Sequence, residues 1–508
     1  MPFPWITREH LRQAWRLLTT LAVPLILGLL SRKIFGEPKE EVPVTAVILN
    51  WSRFPNVMLI ASLMCAPWME NTIAQVFIWN NSPAKLRYEE FKNSGCTRSK
   101  LTVYNAPKNM LFQARHLACA QVETPYCFVQ DDDYLVPYEI IESLHVRISD
   151  LGAANTIHLL PPHEHLSTKL REIHVPAPDD THLSDIHTSF AWLGHGTMMH
   201  RSEARKFVTL LRSISATSDE MKMADNFFTL LSNRVPEVWL DQMFELGGGE
   251  PFTVGPEGDE RNRNFTLRAA NYLASLAHCG RTACEEPMDL AQGKGPQLPY
   301  IALDRSYEPT SWTSAACRGA SCVLDTNIRT LPAQISREAN SITDIFALEE
   351  KNLEVLGEAG KDNYLQYAPS NAVDMKSGTV FRSLTHAAQG DTIVIDVLTD
   401  ISEAREWTAI ELAWLVDSAT EEILKASVFE WSTDKEAWHA ATHAPLCYDT
   451  GHMATIGEEQ IGLRECSVQM ILGSSALHLR ATGRYFRARL EDDRADRWTI
   501  SEVWLRGF

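Results

Sequence analysis

At Val44 the chain changes from a polar stretch, SRKIFGEPKEEVP, to TAVILNW, a short apolar run stopped by Ser52-Arg53. A run apolar at nearly every position, and not at every second one, predicts a first strand buried on both faces. A helical stretch, VMLIASLMCAPWM, leads to a second such strand, QVFIWNN, and KLTVYNA supplies a third. A helix over Leu111–Val122 then precedes TPYCFVQDDDYLVP, an apolar strand that runs directly into three carboxylates. Strand alternating with helix predicts an α/β layer with a mixed, mostly parallel sheet, and ligand chemistry is expected at the carboxyl ends of its strands.

The pattern changes after residue 304. Residues 305–362 show little strand character and one helix, ITDIFALEEKNLEVL, and read as a connector. Beyond them GDTIVIDVLTD, AIELAWLVD, KASVFEWST, ALHLRA, RYFRARLED and WTISEVWLRGF are short strand-like runs separated by turn residues. That spacing predicts an all-β sandwich over residues 363–508. An α/β head at 43–304 and a β tail suit a chain of 508 residues, which is long for one core.

Upstream, Leu17 to Ser31 is an uncharged apolar run between Arg16 and Arg32-Lys33. It reads as a single transmembrane signal anchor, with residues 1–16 a cytoplasmic tail and 32–42 a stem, although it is shorter than the usual span of about 20 residues. A cleaved signal peptide is the competing reading, but no small-residue cleavage site follows. Arg8, Arg12 and Arg16 precede the run and Arg32, Lys33 and Lys39 follow it among glutamates, so charge favours a cytoplasmic N-terminus only slightly.

Composition adds two constraints. A formal charge of −18, with no sustained basic run after the first forty residues, argues against nucleic acid as a partner. Ten cysteines fit a secretory compartment. Cys279 with Cys284 and Cys317 with Cys322 lie in loop-like segments where disulfides would staple the chain, whereas the others sit where buried thiols would serve equally well. Asn264-Phe265-Thr266 is a glycosylation sequon; those at Asn50 and Asn80 fall where the site is expected.

Asp131, Asp132 and Asp133 are costly to hold together, because like charges leaving water repel unless a cation neutralises them. Strand alternation would put Asp131 and Asp133 on one side and Asp132 on the other, so the first two can converge on one divalent ion. Oxygen-only ligands suit Mn²⁺ or Mg²⁺, whose remaining positions accept diphosphate oxygens.

The ordered set ILNWSR, FIWNN, a helix carrying Arg115, FVQDDDYLVP, WLGHGTMMHRS and MADNFFTLL, over Val44 to Leu276, resembles the glycosyltransferase domain of the exostosin-like family. The resemblance implies a GT-A fold and transfer of a sugar, N-acetylhexosamine in many members, from a UDP-sugar with retention of configuration. It implies that Asn50 and Arg53 lie beside uracil or ribose, that Asn80 and Asn81 close over the nucleotide, and that Arg115 reaches the base, ribose or diphosphate. Asp131 and Asp132 would contact the nucleotide-sugar and Asp133 the metal. Asp225, in MADNFF, would sit beneath the anomeric carbon as the catalytic carboxylate; on its residues alone it reads equally as a helix cap.

Arg261 and Arg263 are candidates for a diphosphate clamp, with a solvated basic loop as the alternative. Gly194-His195-Gly196 could admit an acceptor, and His195 reads as a structural histidine or an acceptor-side base. GGGEPFTVGPEGD departs from the family pattern, which leaves the acceptor unassigned.

The tail, from GDTIVIDV through VFEWSTDKEAWHAA to WTISEVWL, resembles the discoidin or coagulation-factor type C module, a galactose-binding-like jelly roll. Such modules often bind glycans; Trp431, Trp438, Trp498 and Trp504 serve that role or simply fill the core. The expectation is therefore a Golgi or endoplasmic reticulum membrane enzyme with its catalytic domain lumenal, acting on a glycan, glycolipid or glycoprotein acceptor. The rivals are a catalytically silent carbohydrate-binding protein and an inverting enzyme of the same fold.

Overall fold

The structure is a computed structural model that describes residues 42–150, 154–177, 184–248, 256–278, 300–302, 312–399, 409–457, 459–471 and 483–507. The predicted anchor at 17–31, the segments either side of it, and the Cys279–Cys284 pair lie outside these residues. No helix among the described residues is long and apolar enough to cross a membrane.

The strands expected at the start of the globular part are present: β1 (Val44–Asn50), β2 (Ile73–Asn80), β3 (Leu101–Asn105) and β4 (Tyr126–Gln130). They continue with β5 (Tyr134–Leu135), β6 (Thr156–Leu160), β7 (Ile173–Val175), β8 (Ile186–Thr188), β9 (Thr197–His200), β10 (Glu237–Leu240) and β11 (Phe244–Glu245). Helices α1 (Phe54–Met64), α2 (Gln113–Gln121), α3 (Tyr138–Ser149), α4 (Pro162–Leu170), α5 (Arg201–Ser213), α6 (Ser218–Lys222), α7 (Asp225–Leu231) and α8 (Pro256–His278) fall between and after them.

In β1 the side chains alternate. Val47 joins a core with Ala114, Val129, Phe207 and Phe228, while Ala46 and Ile48 join another with Ile60, Phe128 and Leu144. A strand with a core on each face must be apolar throughout, which is why VTAVILN carries no polar face.

The connector does have strands. Residues 305–362 contain β12 (Thr313–Ala316) and β13 (Cys322–Thr326), followed by helix α9 (Ile345–Gln366). β12 runs parallel to β10, and β13 pairs antiparallel with β12 on one side and with β15 (Thr392–Val397) on the other. These two strands make one sheet out of head and tail. With β17 (Ser427–Ser432), β18 (His439–Ala440) and β21 (Tyr485–Leu490), its order is β18-β17-β21-β15-β13-β12-β10-β6-β9-β4-β1-β2-β3. Within the head β3, β2, β1 and β4 are parallel, β9 is antiparallel to both its neighbours, and β6 and β10 are parallel, the mixed sheet expected.

The tail is two facing layers. A five-stranded antiparallel sheet of β14 (Phe381–Arg382), β16 (Ala409–Val416), β19 (Leu446–Ile456), β20 (Glu459–Ile471) and β22 (Thr499–Gly507) packs on the end of the long sheet, with helix α10 (Ser418–Lys425) between strands. Ile393, Ile395 and Phe486 from one layer meet Leu412, Trp414, Val468 and Ile500 from the other. Trp498 and Trp431 lie in this core, whereas Trp438 packs under Arg487 at 3.5 Å and Trp504 under Arg506 at 5.0 Å.

Four disulfides tie the described parts: Cys65–Cys96, Cys119–Cys127, Cys317–Cys322 and Cys447–Cys466. The second fastens α2 to β4, and the fourth joins residues directly opposite in β19 and β20. The pair expected at Cys317 and Cys322 is formed, and six cysteines that could have been buried thiols are also paired. The sequon at Asn264 is not in a loop: it lies in α8, where Thr266 is buried and accepts from Asn226 Nδ2 at 3.3 Å.

On β22, Glu502 accepts from the Lys376 N–H at 2.6 Å and meets the Asp374 carboxyl, and burial with that second acid pushes its pKa from 4.5 up to about 8. The folded state therefore holds a proton that the unfolded state has released, so stability falls as pH rises from about 4.5 through about 8. Glu502→Gln should melt higher than the parent above pH 8, with the difference closing towards pH 5. Parallel melting curves of equal spacing at both pH values would show that the pair does not titrate in this way.

Candidate functional site

Register brings the site together. Asn50 and Asn80 are partners at the ends of β1 and β2, and Ile48 stands opposite Gln130, the last residue of β4. The three chain segments leaving these strands thus share the carboxyl edge of the sheet, and each carries a predicted site residue. Asn50 Nδ2 donates to Asn80 Oδ1 at 2.7 Å, and Asn80 Nδ2 donates to the Ala84 carbonyl at 2.7 Å and to Asn105 Oδ1 at 2.8 Å. Asn81 Oδ1 accepts from Trp79 Nε1 and from the Met110 N–H. Asn80 and Asn81 are consequently committed to shaping the loops, and of these three amides Asn50 has a buried oxygen, Oδ1, left without a partner.

The aspartates do not follow strand alternation. β4 ends at Gln130, and Asp132 and Asp133 form a turn before β5, so the extended geometry that would pair Asp131 with Asp133 is absent. Asp132 and Asp133 instead share Arg53 Nη1, at 2.9 and 3.3 Å. Asp131 turns the other way, accepting from Arg115 Nη2 at 2.8 and 3.0 Å.

Arg115 is 1 % exposed and also forms an ion pair with Asp225 at 2.9 Å. The other Asp225 oxygen lies 3.2 Å from His116 Nε2. Asp225 is the first residue of α7, but its side chain caps nothing: it is buried in this Asp131–Arg115–Asp225–His116 chain. His116, next to Arg115 on α2, was not singled out from the sequence.

The loop after β10 fastens over the turn. Arg53 Nε donates to the Gly248 carbonyl, Asn56 Nδ2 to the carbonyls of Asp132 and Gly247, and the Leu246 N–H to the Asp133 carbonyl, while β11 pairs with β5. Burial of a carboxylate raises its pKa, as does a neighbour of like charge. Asp133 is pushed up to about 6, by burial first and by Asp131 next, against the pull of Arg53. Burial raises Asp131 too, with Arg115 opposing. Burial works against the charge of Arg53, but the aspartates outweigh it and raise its pKa.

The donor set fits a hard divalent cation. Asp132 Oδ2 and Asp133 Oδ1 are buried oxygens with no hydrogen-bond partner, both on the turn that Arg53 anchors. Among the described residues no group of three or more His, Cys, Asp or Glu is placed to hold a metal ion. An ion here would take one or two protein oxygens and the rest from phosphate or water, the usual arrangement for Mg²⁺ at a nucleotide.

Gly194 abuts this centre. Its carbonyl accepts from the Asp131 N–H at 2.8 Å, and a Cβ there would lie 2.4 Å from Asp131 Oδ2. Because Arg115 pins that carboxylate, Gly194→Ala should cost about 1–3 kcal/mol through overpacking. Thermal unfolding measures this; an unchanged midpoint would mean the Asp131 carboxylate is free to move.

Four residues, Tyr134, Glu164, His195 and Asp241, gather near the turn. His195 Nε2 is 2.8 Å from Glu164 of α4, and the Tyr134 ring lies 4.4 Å from the imidazole. Asp241, just past β10, has an unpartnered buried Oδ2 and is pushed up to about 7, first by burial and then by Glu164 and Glu245, with His195 opposing. Only His195 had been marked in the sequence. Trp51, 51 % exposed beside Asn50, was also passed over. Arg263 is engaged elsewhere, with Glu350 at 3.3 Å and over the Phe346 ring at 4.6 Å. Arg261 lies on the same helix, α8, next to Asn262, whose carbonyl accepts from Asn226 of α7.

No family profile and no curated protein matches the chain. Among solved structures, the Staphylococcus aureus TarS 1–349 complex with UDP-GlcNAc aligns at 12 % identity and a TM-score of 0.30, over 45 % of this chain and 66 % of that one. Glucosyl-3-phosphoglycerate synthase from Mycobacterium tuberculosis aligns at 11 % and 0.29, over 52 % and 90 %. A CBM32 module from a family 31 glycoside hydrolase of Clostridium perfringens aligns at 17 % and 0.15, over 28 % and 84 %. The chain spans about two thirds of the TarS structures it matches, 65–66 % of their length.

Proposed function

We propose that the protein is a metal-dependent glycosyltransferase that moves a sugar from a UDP-sugar to a glycan, glycolipid or glycoprotein acceptor. The observation that carries this reading is the turn Asp131–Asp133 at the carboxyl edge of the sheet, with two unpartnered buried carboxylate oxygens flanked by two arginines. Departure of a nucleoside diphosphate builds negative charge that cations must meet in place. Asp133, assisted by Asp132, would hold Mn²⁺ or Mg²⁺, and the bound ion would supply Lewis-acid stabilisation of the diphosphate.

Around it, the exposed Trp51 ring and the free Asn50 oxygen present a face for a base, while Arg53 orients the metal-binding pair. Arg115 holds Asp131 and Asp225 at fixed separation, so Asp225 would offer its negative charge to an oxocarbenium-like sugar. The His195–Glu164 pair and Asp241 would face the acceptor, and Asp241, near pKa 7, suits taking up the acceptor's proton. That last arrangement favours the inverting course as a second reading, since one Asp225 oxygen faces His116 and the other is in an ion pair with Arg115, without a hydrogen bond. The anomeric configuration of the product, read by proton NMR, separates the two. The exostosin-like and discoidin-type resemblances, an N-acetylhexosamine donor, and Arg261 as a diphosphate contact belong to the same proposal. So does a lumenal Golgi or endoplasmic reticulum location on an N-terminal anchor, which the four disulfides favour because such bonds persist in oxidising compartments.

The test is calorimetric titration of UDP with and without Mn²⁺, followed by a screen of UDP-sugars for turnover. Metal-dependent binding is expected; a folded protein that binds no UDP in either condition would leave a carbohydrate-binding scaffold as the better reading.

A further inference from the structure

A cavity of about 780 Å³ opens where head and tail share the sheet, apart from the aspartate turn. It is lined by Ala154, Glu237 and Ser314, at the amino ends of the parallel strands β6, β10 and β12. The aspartates and Asp241 lie at the carboxyl ends of strands running in the same direction, on the opposite edge.

Its charge runs against that of the molecule. In a chain of net −18, this wall carries five cations, Arg147, Lys169, Arg234, Lys435 and Arg487, against three carboxylates. Each carboxylate is already satisfied. Glu237 pairs with Arg147 at 3.2 Å, Asp325 with Lys435 at 3.4 Å and with Ser314 Oγ at 2.7 Å, and Asp185 accepts from the Ala177 N–H at 2.8 Å. Arg147 is further held by Asp396 at 2.8 Å, and Arg487 by Glu430 at 2.8 Å.

Two cations are left over. Lys169 Nζ makes one long bond, 3.4 Å, to the Trp312 carbonyl, and Arg234 Nη1 one of 3.3 Å to the Tyr300 carbonyl; neither has a carboxylate within ion-pair distance among the described residues. Lys169 is partly buried and Arg234 exposed, and an anion seated between them would accept charge-assisted hydrogen bonds that no carboxylate takes from either. The volume lies within the range of small-molecule pockets and far exceeds that of an inorganic ion. Trp312, 41 % exposed, and Trp438 supply flat apolar surface at the wall.

We propose that this seam cavity is a second binding site, for a saccharide carrying a phosphate or sulfate group, with Lys169 and Arg234 as its anion contacts and Trp312 against the ring. The choice of a saccharide rests on the transferase reading; the anion site does not. Ligand bound here would bridge α4 of the head and the tail sheet, away from the donor chemistry.

The test is calorimetry on the full chain at fixed ionic strength without divalent metal, titrating glucose 6-phosphate, glucose and inorganic phosphate separately. Glucose 6-phosphate should bind more tightly than either of the other two. Lys169→Ala and Arg234→Ala should each weaken it by about tenfold or more, the order expected for losing one charge-assisted hydrogen bond. Both variants should keep the parent's unfolding midpoint within a few degrees, and their response to UDP with Mn²⁺ should match that of the parent, whatever that response is. Absence of glucose 6-phosphate binding by the folded parent, equal affinity in both variants, or displacement by UDP would overturn the site. Inorganic phosphate binding as tightly as the sugar phosphate would overturn the saccharide assignment and leave the anion contacts standing.

Discussion

Asp133→Ala should lower metal-dependent UDP affinity by about a hundredfold or more, because the Lewis-acid interaction it anchors is worth several kcal/mol and each 1.4 kcal/mol is a factor of ten. The fold should survive. The Asp133 side chain is 27 % exposed, and Arg53 keeps Asp132 at 2.9 Å after the change. Removing a carboxylate that burial and Asp131 hold near a pKa of 6 also relieves repulsion in the turn. The unfolding midpoint should therefore stay level or rise slightly while calorimetry loses the Mn²⁺ dependence. A variant that binds UDP with Mn²⁺ as the parent does would remove Asp133 from the metal site.

Arg115→Met should do the reverse, damaging the fold as well as the site. The guanidinium is almost fully buried between Asp131 and Asp225, and the methionine fills much of its volume without its charge. Breaking a buried ion pair by removing one partner costs about 3–5 kcal/mol, since the carboxylates left behind are neither paired nor hydrated. Denaturant unfolding should show a loss of that order, greater at pH 8 than at pH 4, where protonation can neutralise the orphaned acids. Arg115→Lys should recover only part of it, because an ammonium cannot span two carboxylates as a planar fork does. Equal stability of parent and Met variant would mean that the chain of contacts from Asp131 to His116 is not held by charge.

The first half of the fold was legible because its strands are apolar on both faces: VTAVILN and YCFVQ admit no other placement than the middle of a sheet. β12 was not, because TSAA carries one branched residue, Thr313, and no aromatic, too little to mark a strand; its small side chains are mostly buried. In the site, residue types were readable and pairings were not. Alternation assumes an extended chain, and the turn after Gln130 rotates Asp132 towards Arg53, 79 residues earlier in sequence. Glu164, His195 and Asp241 come from three elements with no shared motif, so only the topology of β6, β9 and β10 could have gathered them. His116 left no signal beyond its place beside Arg115.

The junction at β13 has a consequence for how the molecule can be divided. Its five residues pair with β15 on one side, and four of them with β12 on the other. A shortened protein ending near residue 362 would strip β15 away and leave Cys322–Thr326 as a bare edge, its amides and carbonyls open to any passing strand. Such edges invite self-association. The tail is in this sense the hem of the head's sheet, and the protein is best made, purified and assayed with that hem sewn on.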